Sequence, residues 1–172
     1  MIGRRATDLS DGTVTLREIE SGDAADLYHW RMDCRSRTMF RSTAAVAYET
    51  HLRVVRDYFR TTNRDHWFII EVDGVGVGAV VFYDFDSKEE ECEWGRLVIA
   101  PKRRSASYKH RALALLIEHA KKFGVRRLRC KVLKANAGAL KIYRRVGFAA
   151  IGEYQDRQRT FVQMALDLGV GK

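Results

Sequence analysis

The chain has a single proline in 172 residues, Pro101, and it stands where one hydrophobic period gives way to another. Before it, Glu91 to Ala100 reads as a strand. After it, the polar basic turn Lys102 to Lys109 leads into Ala112, Leu116, His119, Ala120 and Phe123, which step by three or four. Proline has no N–H to give to a ladder or a helix interior, so this junction is the end of a strand and the approach to a helix. Gly124 closes that helix as a C-cap. Arg127, Arg129 and Lys131 then alternate with Leu128, Cys130 and Val132 as a strand with one cationic face. A further helix buries Ala139, Leu140, Ile142, Tyr143 and Val146 before Gly147 ends it, and Ala149 to Tyr154 and Arg159 to Leu168 read as two last strands. Strand, helix, strand, helix, strand in succession is the signature of an α/β chain.

Upstream of the proline, Thr13 to Ile19 alternates as a first strand, followed by two amphipathic helices on Ala24, Leu27, Trp30 and Cys34 and on Tyr48, Leu52, Val55 and Phe59. Between them lies the arginine-studded segment Arg35 to Ala47. His66 to Val72, the turn Asp73-Gly74, Val75 to Phe85 and Glu91 to Ala100 form an antiparallel meander. The expectation is one domain over residues 13–168, after a loosely ordered leader Met1 to Gly12. Its centre is a mixed, mostly antiparallel sheet of about seven strands, flanked by about four helices.

Charge narrows the function. Lys and Arg total 31 against 22 Asp and Glu, a net of +9, which calls for an anionic partner. No run approaches the roughly 18 apolar residues a membrane span needs, and Thr7, Asp8, Ser10 and Asp11 stand where a secretory signal would be apolar. An intracellular, cytoplasmic protein with no membrane partner is expected. Cys34, Cys92 and Cys130 are odd in number and far apart, as reduced core thiols are, and no metal site is expected from their spacing. No recognition helix, RNP-type motif or zinc finger points to nucleic acid.

Chemistry concentrates between Glu93 and Phe148. A loop that feeds its backbone N–H groups into a helix N-terminus is an anion site, because orphan amides and the helix dipole both favour negative charge. Here the sequence resembles the GNAT family of acyl-CoA-dependent N-acyltransferases. The resemblance rests on Leu97-x-Ile99-x-Pro101, on Arg104-x-x-Ser107-x-Lys109, and on Asn136-x-x-Ala139-Leu140-x-x-Tyr143-x-x-Val146-Gly147-Phe148. It implies a V-shaped splay between the fourth and fifth strands and an acetyl-CoA cofactor. It also implies that Arg103, Arg104, Ser105, Ala106, Ser107, Tyr108 and Lys109 wrap the pyrophosphate, with Ser107 and Lys109 in place of the family's two glycines. Leu97, Val98 and Ile99 would meet the thioester carbonyl through backbone amides. Asn136 would cap its helix and touch the pantetheine arm.

The same resemblance makes Glu93 the base that takes the acceptor's ammonium proton and Tyr143 the acid that protonates the leaving thiolate. Tyr28-His29-Trp30-Arg31 and Glu49-x-His51-Leu52-Arg53 look like the acceptor region of the branch acting on nucleotide-linked 4-amino sugars. The ribosomal-protein N-acetyltransferase branch is also near in look. Trp30, Arg31, Phe40, His51 and Glu93 are therefore the expected acceptor contacts. The leading expectation is a monomeric or homodimeric enzyme that acetylates a small-molecule amine, best a nucleotide-linked amino sugar. Protein N-terminal or polyamine acetylation, and a catalytically weak binding module of the same fold, are the alternatives.

Overall fold

A computed structural model of the chain describes residues 9–60, 65–86 and 90–169. Eight strands form one sheet: β1 (Leu9–Ser10), β2 (Val14–Glu18), β3 (His66–Val72), β4 (Val75–Asp86), β5 (Glu91–Ile99), β6 (Arg127–Leu133), β7 (Ala149–Asp156) and β8 (Arg159–Asp167). Five α-helices accompany it: α1 (Ala24–Met32), α2 (Cys34–Met39), α3 (Tyr48–Arg60), α4 (Ala106–Lys122) and α5 (Ala137–Arg145). The strand order is β1-β2-β3-β4-β5-β6-β8-β7. All neighbours are antiparallel except β5 and β6.

The α/β architecture and the meander are as the periodicities indicate, with two differences in count. Leu9–Ser10 pairs with Thr15 and Leu16, so a short strand occupies the end of the expected leader, whose residues 1–8 lie outside the described ones. The first helix is interrupted. Asp33 leaves helical geometry at ψ 130, and its carboxylate accepts from the Ser36 N–H at 3.0 Å, which caps a separate α2 inside the arginine-rich segment. A local side-chain bond thus overrides a hydrophobic period that would have run to Cys34. Cys34 is exposed, contrary to the expectation of a core thiol; Cys92 and Cys130 are buried.

Both faces of the sheet are covered, and adjacent residues of β3 show it. Phe68 and Ile70 point into a core shared with Leu113, Leu116 and Ala120 of α4 and Leu140 and Tyr143 of α5. Trp67 and Ile69 point the other way, into a core with Leu27 and Trp30 of α1 and Val55 of α3. The Asp73-Gly74 turn has φ of 52° and 72°, the doubly left-handed geometry a two-residue hairpin needs.

The sheet's one discontinuity positions the site. β5 and β6 pair in parallel only over Glu91↔Arg127, Cys92↔Leu128 and Glu93↔Arg129. β5 then runs on to Ile99 and β6 to Leu133 without shared register, so the sheet opens after Glu93. The expected splay between the fourth and fifth strands lies here, one number later because of β1.

Candidate active site

A cleft of about 1020 Å³ fills this opening, walled by α1, α2, β5, β6, the start of α4, α5 and the β7–β8 hairpin. Glu93 sits where the two strands part. It is only 6% exposed, so its polar oxygens need partners. The Tyr83 hydroxyl donates to its Oε1 at 3.1 Å and the Lys131 ammonium to its Oε2 at 2.6 Å. Gly95 makes the first contact possible: a Cβ there would lie 2.4 Å from the Tyr83 hydroxyl. The arrangement fixes a hydrogen-bonded carboxyl group at the apex of the cleft, facing whatever enters it.

Past Glu93, β5 bulges. Ala79 pairs with Val98 but Val81 with Gly95, so β5 carries an extra residue, and Arg96 adopts φ 53°. Beyond the bulge the Ala100 N–H donates to the Val77 carbonyl at 2.8 Å. Donors alternate between the two edges of a strand, so the Ile99 N–H faces the open side of the sheet, and Val98 faces β4. Of Leu97, Val98 and Ile99, all of which line the cleft, Val98 is thus turned away, and Ile99, clear of the bulge, has an amide oriented to meet a carbonyl there, on the same edge as that of Leu97. Gly78 secures this segment, because a Cβ at that position would fall 2.3 Å from the Val98 carbonyl oxygen.

On the opposite side of the opening, Ser105 caps α4 by accepting from the Ser107 N–H at 3.2 Å, leaving the first-turn amides directed at the loop. Lys109 is half-buried and lines the cleft with no carboxylate partner among the described residues. Burial, and then the neighbouring Arg104 charge, pull its ammonium below the ordinary value. Arg104 also lines the cleft but is held by Asp33 and Ser36 of the α1–α2 joint. Arg103, Ser105, Ala106, Ser107 and Tyr108 do not line it, and Tyr108 packs on the core. Asn136 caps α5 by accepting from the Ala139 N–H at 3.1 Å, and it reaches the cleft, as does Tyr143.

The Tyr143 phenol is 7% exposed and burial pushes its pKa well above the ordinary range, so it stays protonated and a donor. No hydrogen-bond partner for it is present among the described residues. Cys130, beside it in the cleft, is pushed up to about 12 by burial and is therefore a neutral thiol rather than a nucleophile.

The acceptor side gathers Arg31, Phe40, His51 and Glu93 in the same cleft. Trp30 does not join them: it is 6% exposed in the core beneath α1, its ring edge 3.4 Å from where a Cβ of Gly76 would stand. Its helical phase faces the sheet while that of Arg31 faces the opening. His51 Nε2 lies 2.9 Å from the Ala24 carbonyl, which only accepts, so that nitrogen carries the proton. His51 is pulled below its ordinary pKa by burial, against the Ala24 bond and with the Arg31 charge, and it anchors α3 to α1.

Sequence reasoning missed four participants. Tyr83 and Lys131 hold Glu93, and Arg96 comes to the cleft on the bulge. Arg159, on β8, donates to the carbonyls of Thr38 at 2.6 Å and Phe40 at 2.8 Å, strapping the end of α2 over the opening. Arg41 adds an ion pair to Asp156 at 2.8 Å. The one available signal was Lys131, two positions past Arg129 on the cationic face of a strand.

A sheet split by a short parallel pairing, with a hydrogen-bonded carboxyl group at the apex and an open-edged bulge beside a helix N-terminus, defines an acyl-transfer fold. The family model described as an acetyltransferase (GNAT) domain matches residues 13–149, and the chain belongs to that family. It is a GNAT acetyltransferase, an acyl-CoA N-acyltransferase. Among solved structures, it is similar to spermidine N-acetyltransferase from Vibrio cholerae in complex with CoA and spermine, at 16% identity and TM-score 0.81, covering 92% of this chain and 97% of that one. It is similar to FdhC, a nucleotide-linked sugar GNAT, at 20% identity and TM-score 0.79, covering 94% and 90%. A GNAT-family acetyltransferase from Bacillus anthracis gives 15% identity and TM-score 0.80, covering 94% and 99%. At these identities the likeness establishes the fold. Comparison with curated protein sequences found no match. No helix among the described residues is long and apolar enough to cross a membrane.

Proposed function

We propose that this enzyme transfers an acetyl group from acetyl-CoA to the primary amine of a small anionic acceptor, best represented by the 4-amino group of a nucleotide-linked amino sugar. The charge of the cleft carries the reading. Eight arginine or lysine side chains line it against two carboxylates, Glu93 and Asp156, and both carboxylates are already paired, with Lys131 and Arg41. A polycation entering there would meet uncompensated positive charge; a phosphorylated amine would relieve it.

The residues present fit acetyl-CoA. Lys109 and the capped start of α4 supply an unpartnered cation and first-turn amides for phosphate, and Asn136 and Tyr143 face the cleft from α5. Bound there, the cofactor supplies an activated thioester. Glu93 takes the acceptor's ammonium proton, directly or through one water, freeing the nitrogen lone pair for attack. The Ile99 N–H holds the acyl oxygen as it gains charge. As the N–C bond forms and the C–S bond breaks, the Tyr143 hydroxyl would give its proton to the departing sulfur; the second proton shed by the nitrogen after attack would restore that hydroxyl, and Glu93 would release the first to solvent.

A cytoplasmic location and a monomeric or homodimeric state belong to the same reading. The test is turnover with acetyl-CoA, read as released thiol, across UDP-linked amino sugars, peptides with free N-termini and spermidine. Faster turnover of the UDP-linked amines is the expected result, and a preference for spermidine overturns the anionic-acceptor assignment.

A further inference from the structure

Three of the eight cations at the cleft are answered by a carboxylate: Arg41 by Asp156, Lys131 by Glu93, and Arg104 by Asp33. Of the others, two sit beside the Glu93 strand and the core of α1. Arg31, at the end of α1, and Arg96, on the β5 bulge, both line the cleft and have no carboxylate or carbonyl partner among the described residues. They are close enough that the Arg96 charge, after burial, depresses the Arg31 guanidinium. Arg31 is half-buried, and no carboxylate among the described residues offsets its desolvation.

Arg96 is held in a costly geometry. It is a non-glycine residue at φ 53°, and its guanidinium lies 5.2 Å from the centroid of the Trp67 ring, which covers one face. The Trp67 ring lines the same cleft, and its buried indole N–H has no acceptor among the described residues. Three donor groups from three elements, α1, β3 and β5, thus line one cleft with no acceptor among the described residues. An oxyanion accepts from donors of both kinds.

We propose that Arg31 and Arg96, over the Trp67 ring, form the subsite that binds a phosphate group of the acceptor. This rests on the anionic-acceptor reading above and deepens it by naming the residues and the anion. Guanidinium pairs suit phosphate because each offers a planar fork of N–H donors to tetrahedral oxygens. Arg96 is three residues past Glu93 on the same strand, so phosphate anchored there leaves an amine within a short molecule's reach of the carboxylate. A spermidine-type acceptor gains nothing at this pair.

The test uses inorganic pyrophosphate as the probe, titrated calorimetrically into the full chain, without CoA and with saturating CoA. Arg96→Gln, Arg31→Met and Lys109→Ala are compared, with thermal melting to confirm folding; Met preserves the packed stem of Arg31. Binding that persists with CoA bound and weakens about tenfold in Arg96→Gln and in Arg31→Met supports the subsite. Binding unchanged by both substitutions, or abolished by CoA or by Lys109→Ala alone, overturns it, because the probe then reports the cofactor site. Succinate binding in place of pyrophosphate overturns the phosphate assignment. CoA titration judges the acetyltransferase reading separately: failure of CoA to bind would sink that reading, while the pyrophosphate response to Arg96→Gln still decides the subsite.

Discussion

The two walls of the cleft are built differently. The cofactor wall is local in sequence: Pro101 ends a strand, Ser105 caps α4, Lys109 lies in its first turn, and Asn136 and Tyr143 sit on one helix. The acceptor wall is assembled from afar. Lys131 reaches Glu93 across 38 residues, Arg159 reaches Thr38 across 121, and Arg31 and Arg96 come to one cleft from different elements. A wall made of one loop and one helix is specified by capping and periodicity. One made of distant ion pairs is specified by which faces the sheet turns toward its opening. Damage to the first should therefore be confined, and damage to the second should spread.

The sharpest break is at Glu93, where the acceptor wall meets the chemistry. Glu93→Gln should lower kcat by about 10²–10⁴-fold while leaving CoA affinity near its starting value, measured by thiol release and by calorimetry. It keeps the Tyr83 contact but deprives Lys131 of its counter-ion, so intact CoA binding would show that this disruption does not cross to the other wall.

Gly78→Ala tests the joint between the walls. The added Cβ would press on the Val98 carbonyl, which is backbone and has little room to give, so β5 must shift at the Ile99 amide. Unfolding stability should fall by about 1–3 kcal/mol in a denaturant titration, with turnover falling alongside. Loss of stability with turnover retained would remove Ile99 from the oxyanion role.

His119 lies outside both walls, packed edge-on to Phe68 and stacked on Phe82, and it is the control. Burial, aided by His66 and Lys122, brings its pKa from 6.5 to about 4. The unfolded chain takes up that proton first, so the stability contribution is complete above 6.5 and drains away as the pH falls towards 4. The loss should reach up to about 3 kcal/mol. Melting between those limits measures it, and His119→Leu should flatten the profile without changing acceptor selectivity.

Smaller effects separate the walls themselves. Lys109→Ala should raise the KM for acetyl-CoA about tenfold and leave the acceptor KM alone, as loss of one charge-assisted phosphate contact implies. Arg159→Ala should do the reverse, raising the acceptor KM a few-fold by releasing the end of α2. If each substitution moved both constants equally, the division into a local and an assembled wall would fail.

Near neighbours in sequence determined most of the architecture. The Asp73-Gly74 turn, the strand into Pro101, the helix closed by Gly124 and the run from Asn136 to Phe148 are all set by contacts within a few residues, and each is found where the residues indicate it. The exception inside that local logic is Asp33, whose carboxylate caps a new helix where hydrophobic spacing alone would have continued the old one. Trp30 and Arg31 are adjacent, yet one is core and the other cleft, because helical phase is read only against the sheet it meets. Most of all, the tertiary structure decided which positive charges are answered and which are not. A guanidinium's partner depends on distance in space, and distance in space between α1, β5 and β8 leaves no period in the sequence to read.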